Sequence, residues 1–222
     1  MTARKTARPA VTPERMDTIL RRLEAQFPEA GCSLGFETPL QLLVATILSA
    51  QCTDERVNMV TPTLFARFRT AQDFADADPD ALAAIIRSTG FYRNKTRSLI
   101  GMGRALVERH GGEVPRTMAE LTQVPGAGRK TANVVLGNAL GVEEGIVVDT
   151  HVSRLSQRLG LTRHTDPVSI EQDLIALVPR GRWTLFPHLM IHHGRAICQA
   201  RKPQCERCPL NDLCPFPDRP AA

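Results

Sequence analysis

The sequence predicts an all-α fold, and three observations predict it. Apolar residues recur at three- and four-residue spacing along nearly the whole chain, the spacing that lines one face of a helix. The turn formers Asp78-Pro79-Asp80, Gly90, Gly111-Gly112 and Gly160 fall between the apolar runs. A single stretch, 145–148, has the short β-branched character of an extended segment.

Taken in order, the first helix begins at Pro13 behind Thr12 as N-cap, because proline fits the first helical position and a threonine hydroxyl can accept an orphan N–H. Its apolar stripe is Met16, Ile19, Leu20, Leu23 and Phe27. The same periodicity predicts helices over 40–48, 61–68, 81–88, 95–109, 118–123, 130–140, 151–159, 170–178 and 185–192. The 222 residues, 42% of them hydrophobic, suffice for the core of one large domain or two small ones. Apolar stretches such as 40–50 fall far below the roughly 20 residues that span a bilayer, so no membrane helix is expected. The opening residues carry Arg4, Lys5 and Arg8 without the apolar segment of a secretory signal. Residues 1–11 therefore read as a disordered basic arm, with a transit peptide as the alternative.

A net charge of +5 and a pI near 9.1 suit a polyanionic partner, although charge alone does not identify one. Four of the six cysteines, Cys198, Cys205, Cys208 and Cys214, crowd into a C-x6-C-x2-C-x5-C run. In a long chain such crowding points to a metal site in a reducing compartment, here the cytoplasm. Four thiolates suit tetrahedral zinc or an iron–sulfur cluster, and both readings stay open; a single C-x2-C knuckle leans toward iron and sulfur. Between the first two cysteines, Arg201 and Lys202 sit in a loop pinned at both ends, which can meet a phosphate backbone or simply face solvent. Cys32 and Cys52 are expected as free thiols.

The segment Gln123-Val124-Pro125-Gly126-Ala127-Gly128-Arg129-Lys130 joins two helical patterns, so 117–140 reads as a helix-hairpin-helix. Gly126 and Gly128 would permit backbone angles closed to other residues and a close approach of another backbone. The second helix would present its N-terminus, with Arg129, to a phosphate. Lys130 is one of only four lysines against 24 arginines. On residue type it reads first as a phosphate ligand and second as a nucleophile, since lysine, unlike arginine, can lose its proton and attack carbon. A lysine amine in water is neutral in only about one molecule in a thousand at physiological pH, so a nucleophilic role requires help from the site.

Together, VPGAGRKTANVV at 124–135, VVDTHVSRL at 147–155, LSAQCTD at 48–54 and the cysteine run resemble the endonuclease III family of bifunctional DNA glycosylases and abasic-site lyases. The likeness runs from about residue 14 to Cys214. It implies two helical lobes: a six-helix barrel over 32–143, and a lobe of 12–31 plus 144–222 carrying a [4Fe-4S] cluster held by the four cysteines. It implies a monomer that acts on double-stranded DNA bearing damaged pyrimidines or abasic sites, in the cytoplasm. Lys130 matches the family's nucleophile and Asp149 its catalytic carboxylate, although Asp149 also suits the N-cap of the helix that follows. Gln51 matches the residue that fills the gap left by a flipped base. Phe91 stands where a wedge, commonly leucine, enters the stack; a core phenylalanine is the competing reading. The connection from Lys130 to Asp149 is about a residue longer than the family pattern. His151, Lys95 and Asp54 read as structural. The rival readings are an adenine glycosylase, which usually carries serine in place of Lys130 and a long C-terminal domain, and a non-enzymatic damage binder on the same scaffold.

Overall fold

The computed structural model describes residues 11–216. The expected basic arm, apart from Val11, lies outside them. Eleven α-helices and three 3₁₀ turns make up the described chain, with no strand among the described residues. The stretch 145–148 is extended backbone without a strand partner.

The chain divides into two compact units, one comprising Cys32–Glu144 and the other the segments ending at Gly31 and starting at Gly145. The first holds α2 (Pro39–Leu48), α3 (Asp54–Arg67), α4 (Ala71–Ala75), α5 (Pro79–Ile86), α6 (Tyr92–His110), α7 (Met118–Leu121) and α8 (Arg129–Leu140). Its core is a continuous apolar cluster that includes Leu42, Leu43, Leu64, Phe74, Leu82, Leu99 and Leu136. The apolar helix α2 is buried over Leu42 to Leu48, and α6, the longest helix, ends on Gly111 at φ 61°.

Two differences from the sequence reading have local causes. Helix α3 starts at Asp54, capped by the Thr53 hydroxyl, and not near Thr61. Pro62 lies inside it, where proline ordinarily marks a first turn. Helix α4 is too short to show periodicity; its signal is a capping box, in which Thr70 and Asp73 satisfy each other's backbone N–H groups.

The second unit joins both ends of the described chain: α1 (Pro13–Gln26), α9 (Thr150–Arg158), α10 (Pro167–Leu177), α11 (Leu185–Ala196) and 3₁₀ turns at Cys205–Arg207 and Asn211–Leu213. Thr12 caps α1 as expected. Met16, Ile19, Leu23, Leu155, Leu174, Phe186 and Leu210 are among its core residues. Arg15 of α1 donates to the carbonyls of Leu159 (2.6 Å) and Leu213 (2.8 Å), and Arg22 donates to Pro209 (2.7 Å) and the Asp212 carboxylate (2.5 Å). Two arginines thus fasten the N-terminal helix to the C-terminal loops.

Gly103 is the tightest contact of α6 with α4: a Cβ there would stand 2.5 Å from Ala75 N and 2.7 Å from Ala71 O. Backbone atoms cannot swing aside, so Gly103→Ala should destabilise the protein by about 1–3 kcal/mol, as overpacking does. Urea unfolding followed by far-ultraviolet circular dichroism checks this; an unchanged midpoint would contradict the packing described.

Candidate DNA-repair site and cluster loop

The hairpin turn forms because α7 stops at Leu121 and Val124 and Ala127 bury their side chains in the core of the first unit. Gly126, at φ 84°, adopts a conformation closed to most side chains, and its Cα hydrogen faces Ile47 and Ser98, where a Cβ would lie 3.1–3.2 Å away. Gly128 corrects the sequence reading. Its φ of −76° suits any residue, and a Cβ there would meet nothing within 4 Å. What its lack of a side chain provides is an open surface at the start of α8, where no side chain caps the helix. Arg129 and Lys130 follow as the first two residues of α8, both exposed. The turn therefore presents a lysine amine, together with the positive end of a helix, to whatever lies outside.

Gln51 and Phe91 belong to the same unit. Both have left-handed backbone, φ 52° and 47°, and they are the only non-glycine residues with positive φ among the described residues. Such angles are unusual for side chains of this size. Gln51 is exposed, and Phe91 is 62% exposed, so the alternative of a core phenylalanine falls. Both side chains stand outward at a helix end, Gln51 three residues beyond α2 and Phe91 as the residue that opens α6.

In the other unit, Asp149 is half-buried and caps α9, its Oδ1 accepting from Val152 N at 2.8 Å. The suspected capping role is real, and it aims the carboxylate along the helix N-terminus. Arg154 Nη2 donates to His151 Nδ1 across 3.2 Å, and burial lowers the pKa of His151. Farther along α9, Arg154 donates to the carbonyls of Gly194 (3.3 Å) and Cys198 (3.1 Å), and Arg158 to Gln199 (2.8 Å) and Ala200 (2.7 Å). The helix that carries Asp149 is thereby tied to the cysteine loop. Sequence reasoning missed these arginines, since an arginine bound for distant carbonyls looks like any solvated one.

The four cysteines line one cavity of about 280 Å³ including its open mouth, with Ile197, Pro203 and Phe216 among its walls. The two 3₁₀ turns of this unit each lead into a cysteine, Cys208 N bonding to Cys205 O and Cys214 N to Asn211 O. Among the described residues no three His, Cys, Asp or Glu side chains are placed to hold a single metal ion. Burial, aided by the other three cysteines and opposed by a backbone hydrogen bond at Phe216, pushes the Cys214 thiol up to about 11. A thiol raised in this way ionises more readily beside the positive charge of a bound metal. Arg158 Nη1 donates to Cys198 Sγ at 3.2 Å, a bond of the kind that stabilises charge on sulfur, and His193 Nε2 lies 3.4 Å from Cys208 Sγ. All six cysteines are free of disulfides, as expected for Cys32 and Cys52. Arg201 and Lys202 are exposed on the loop.

Residues 44–180 match the HhH-GPD superfamily of base excision DNA repair proteins, and residues 198–214 match the iron–sulfur binding domain of endonuclease III. The chain is 55% identical over 202 residues to endonuclease III of Synechocystis sp., covering 91% of this chain and 92% of the relative. It is 38% identical over 201 residues to endonuclease III of Escherichia coli, covering 90% and 95%. The structure of a trapped endonuclease III–DNA covalent intermediate superposes with a TM-score of 0.86 at 43% identity, covering 93% of this chain and 97% of that one. No helix among the described residues is long and apolar enough to cross a membrane. The chain belongs to the endonuclease III family: it is a DNA-binding base excision repair enzyme, a DNA glycosylase with abasic-site lyase activity, and it carries a [4Fe-4S] cluster.

Proposed function

We propose that Lys130 is the nucleophile and Asp149 the catalytic carboxylate of an enzyme that excises oxidised pyrimidines from duplex DNA. The observation that carries the proposal is the hairpin: the left-handed turn at Gly126 delivers an exposed Lys130 into the uncapped first turn of α8. The trapped covalent complex of a related endonuclease III with DNA supports a covalent route.

The chemistry begins with the damaged nucleotide rotated out of the duplex, because C1′ is shielded while the base is stacked. Neutral Lys130 attacks C1′, the glycosidic bond breaks, and the base leaves with a proton. Asp149 stabilises positive charge on the sugar as the base departs and assists proton transfer. The C1′–O4′ bond of the sugar then opens, O4′ taking a proton, and leaves a protonated imine between Nζ and C1′; the imine acidifies C2′, and loss of the C2′ proton expels the 3′ phosphate by β-elimination. Hydrolysis of the imine frees Lys130. Gln51 occupies the gap left in the stack, and Phe91 enters from the opposite strand as an aromatic wedge. A phenyl ring stacks on bases more broadly than the usual leucine, which would alter the preference for the base opposite the lesion. The N-terminus of α8, with Gly126, Gly128 and Arg129, binds a phosphate, and Arg201 and Lys202 contact the backbone farther along.

Cys198, Cys205, Cys208 and Cys214 are the proposed ligands of the cluster. When bound, it supplies cross-linking of the loop and orientation toward DNA; no step above requires electron transfer. The enzyme is read as a monomer that works on chromosomal DNA in the cytoplasm.

Borohydride trapping tests the central assignment. With duplexes carrying one thymine glycol or one abasic site, the wild type should form a covalent complex on both and Lys130→Ala on neither. Trapping of the abasic site alone would reduce the protein to a lyase or a differently specific glycosylase. Intact binding without trapping would leave a damage binder.

Cys205→Ala should lose the brown colour of the cluster and fold poorly; a stable, colourless and fully active variant would remove the structural role of the cluster. Lys202→Ala should weaken DNA binding and lower the slope of log affinity against log salt by about 1, the effect of one phosphate contact. Its single-turnover rate at saturating enzyme should barely change, and a large loss of rate would contradict a backbone contact.

A further inference from the structure

Lys95 is 5% exposed, and it is a lysine outside the site described above. Its Nζ donates to the carbonyl oxygens of Leu48, at 2.7 Å, and Thr89, at 2.8 Å. The two acceptors are 41 residues apart in the chain and belong to different elements: Leu48 is the last residue of α2, and Thr89 closes the 3₁₀ turn Arg87–Thr89. A helix leaves its final carbonyls without internal partners. At the end of α2, the Ser49 hydroxyl takes the Thr46 carbonyl, Ala50 N takes Ile47, and Lys95 takes Leu48. Burial lowers the pKa of Lys95, while Cys52 nearby opposes that shift.

The positions of the two acceptors give the contact its meaning. Gln51 follows Leu48 by three residues and Phe91 follows Thr89 by two, and these are the two non-glycine residues held at positive φ. Gly90, at φ 72°, stands between Thr89 and Phe91, and the Phe91 carbonyl accepts from Asn94 N and Lys95 N. Lys95 thus grips both loops by their backbones, one turn into the helix that Phe91 begins.

We infer that Lys95 is a positioning residue that couples the Gln51 and Phe91 loops, setting the separation at which the two side chains enter a damaged duplex. The inference rests on the proposed roles of Gln51 and Phe91 in DNA. One residue fills the vacated space and the other wedges the opposite strand, so they act on a single gap and their spacing must match it. A compact ammonium hydrogen-bonded to both loops fixes that spacing before DNA arrives, removing an ordering cost from base flipping. Backbone acceptors allow the clamp to work whatever side chains the loops carry.

The experiment compares two substrates in single-turnover cleavage at saturating enzyme: a duplex with one thymine glycol, and a single-stranded oligonucleotide with one abasic site. The second has no stack to fill, so it reports imine chemistry without the two probes. Lys95→Met should cut the duplex rate at least tenfold while single-strand cleavage stays within about twofold of wild type, the signature of a lost positioning contact. If Lys95→Met does not fold, Lys95→Arg carries the test, since it keeps the charge and alters the spacing of its donors; the same selective loss is expected, smaller in size. Equal rate losses on both substrates, or none, in whichever variant folds would overturn the clamp. Gln51→Ala and Phe91→Ala run beside them. If neither slows the duplex reaction, the DNA roles of those residues fail and the clamp falls with them. If both slow it and Lys95→Met does not, the clamp alone fails.

Discussion

A helix ends with backbone N–H and C=O groups that it cannot satisfy itself, and five of the functional positions proposed in this chain lie at or beside such an end. Lys130 sits in the uncapped first turn of α8, Asp149 caps α9, Gln51 follows the end of α2, Phe91 opens α6 and Cys198 follows α11. The constraint explains the economy of the fold. Apolar helices pack into two cores, and their termini, the polar parts left over, become on the proposed roles a phosphate site, a carboxylate mount, two probes and a ligand loop.

Cations complete the ends that side-chain caps do not. In the second unit Arg15, Arg22, Arg154 and Arg158 all donate to main-chain carbonyls, most of them around the cysteine loop. A guanidinium with several fixed donors suits scattered acceptors. These arginines count toward the net charge of +5, yet each is held by carbonyls within the protein. Fewer guanidinium groups can therefore reach a phosphate than composition suggests, and local placement of residues such as Lys202 matters more than the total. The loop is held by these bonds and by apolar burial of Leu210 as well as by its sulfurs.

The features that were legible in the sequence are those written in neighbouring residues. The all-α class, the cap at Thr12, the hairpin around Gly126, the cap at Asp149 and the cysteine run each depend on residues within a few positions of one another. The misplaced start of α3 shows where local reading misleads, since Pro62 mimics a helix start from inside a helix. Contacts such as Lys95 to Leu48 and Arg15 to Leu213 were hidden for a different reason. Their acceptors are backbone carbonyls, which every residue possesses, so no residue type at position 48 or 213 records the bond. Nor does the sequence separate an exposed Phe91 from a core one, because exposure depends on packing against residues distant in the chain.

The scarcity of lysine gains a physical reading from the same argument. Arginine serves wherever a permanent charge must reach several acceptors, and 24 positions use it. Position 130, on the proposed chemistry, needs an amine that can form a carbon–nitrogen double bond, which guanidinium does not do. Position 95 needs a small head with three donors on a slender stem, able to reach two carbonyls from within a packed helix. Left-handed backbone at a residue such as Gln51 or Phe91 costs about 1–3 kcal/mol, and hydrogen bonds to a charged donor contribute about 1.5–3 kcal/mol each. Two such bonds are of the size needed to hold two strained loops, whereas an apolar side chain at 95 would add two buried unpaired carbonyls to the strain. The conformations of the probes and the identity of the residue beneath them are therefore one choice, made at three positions.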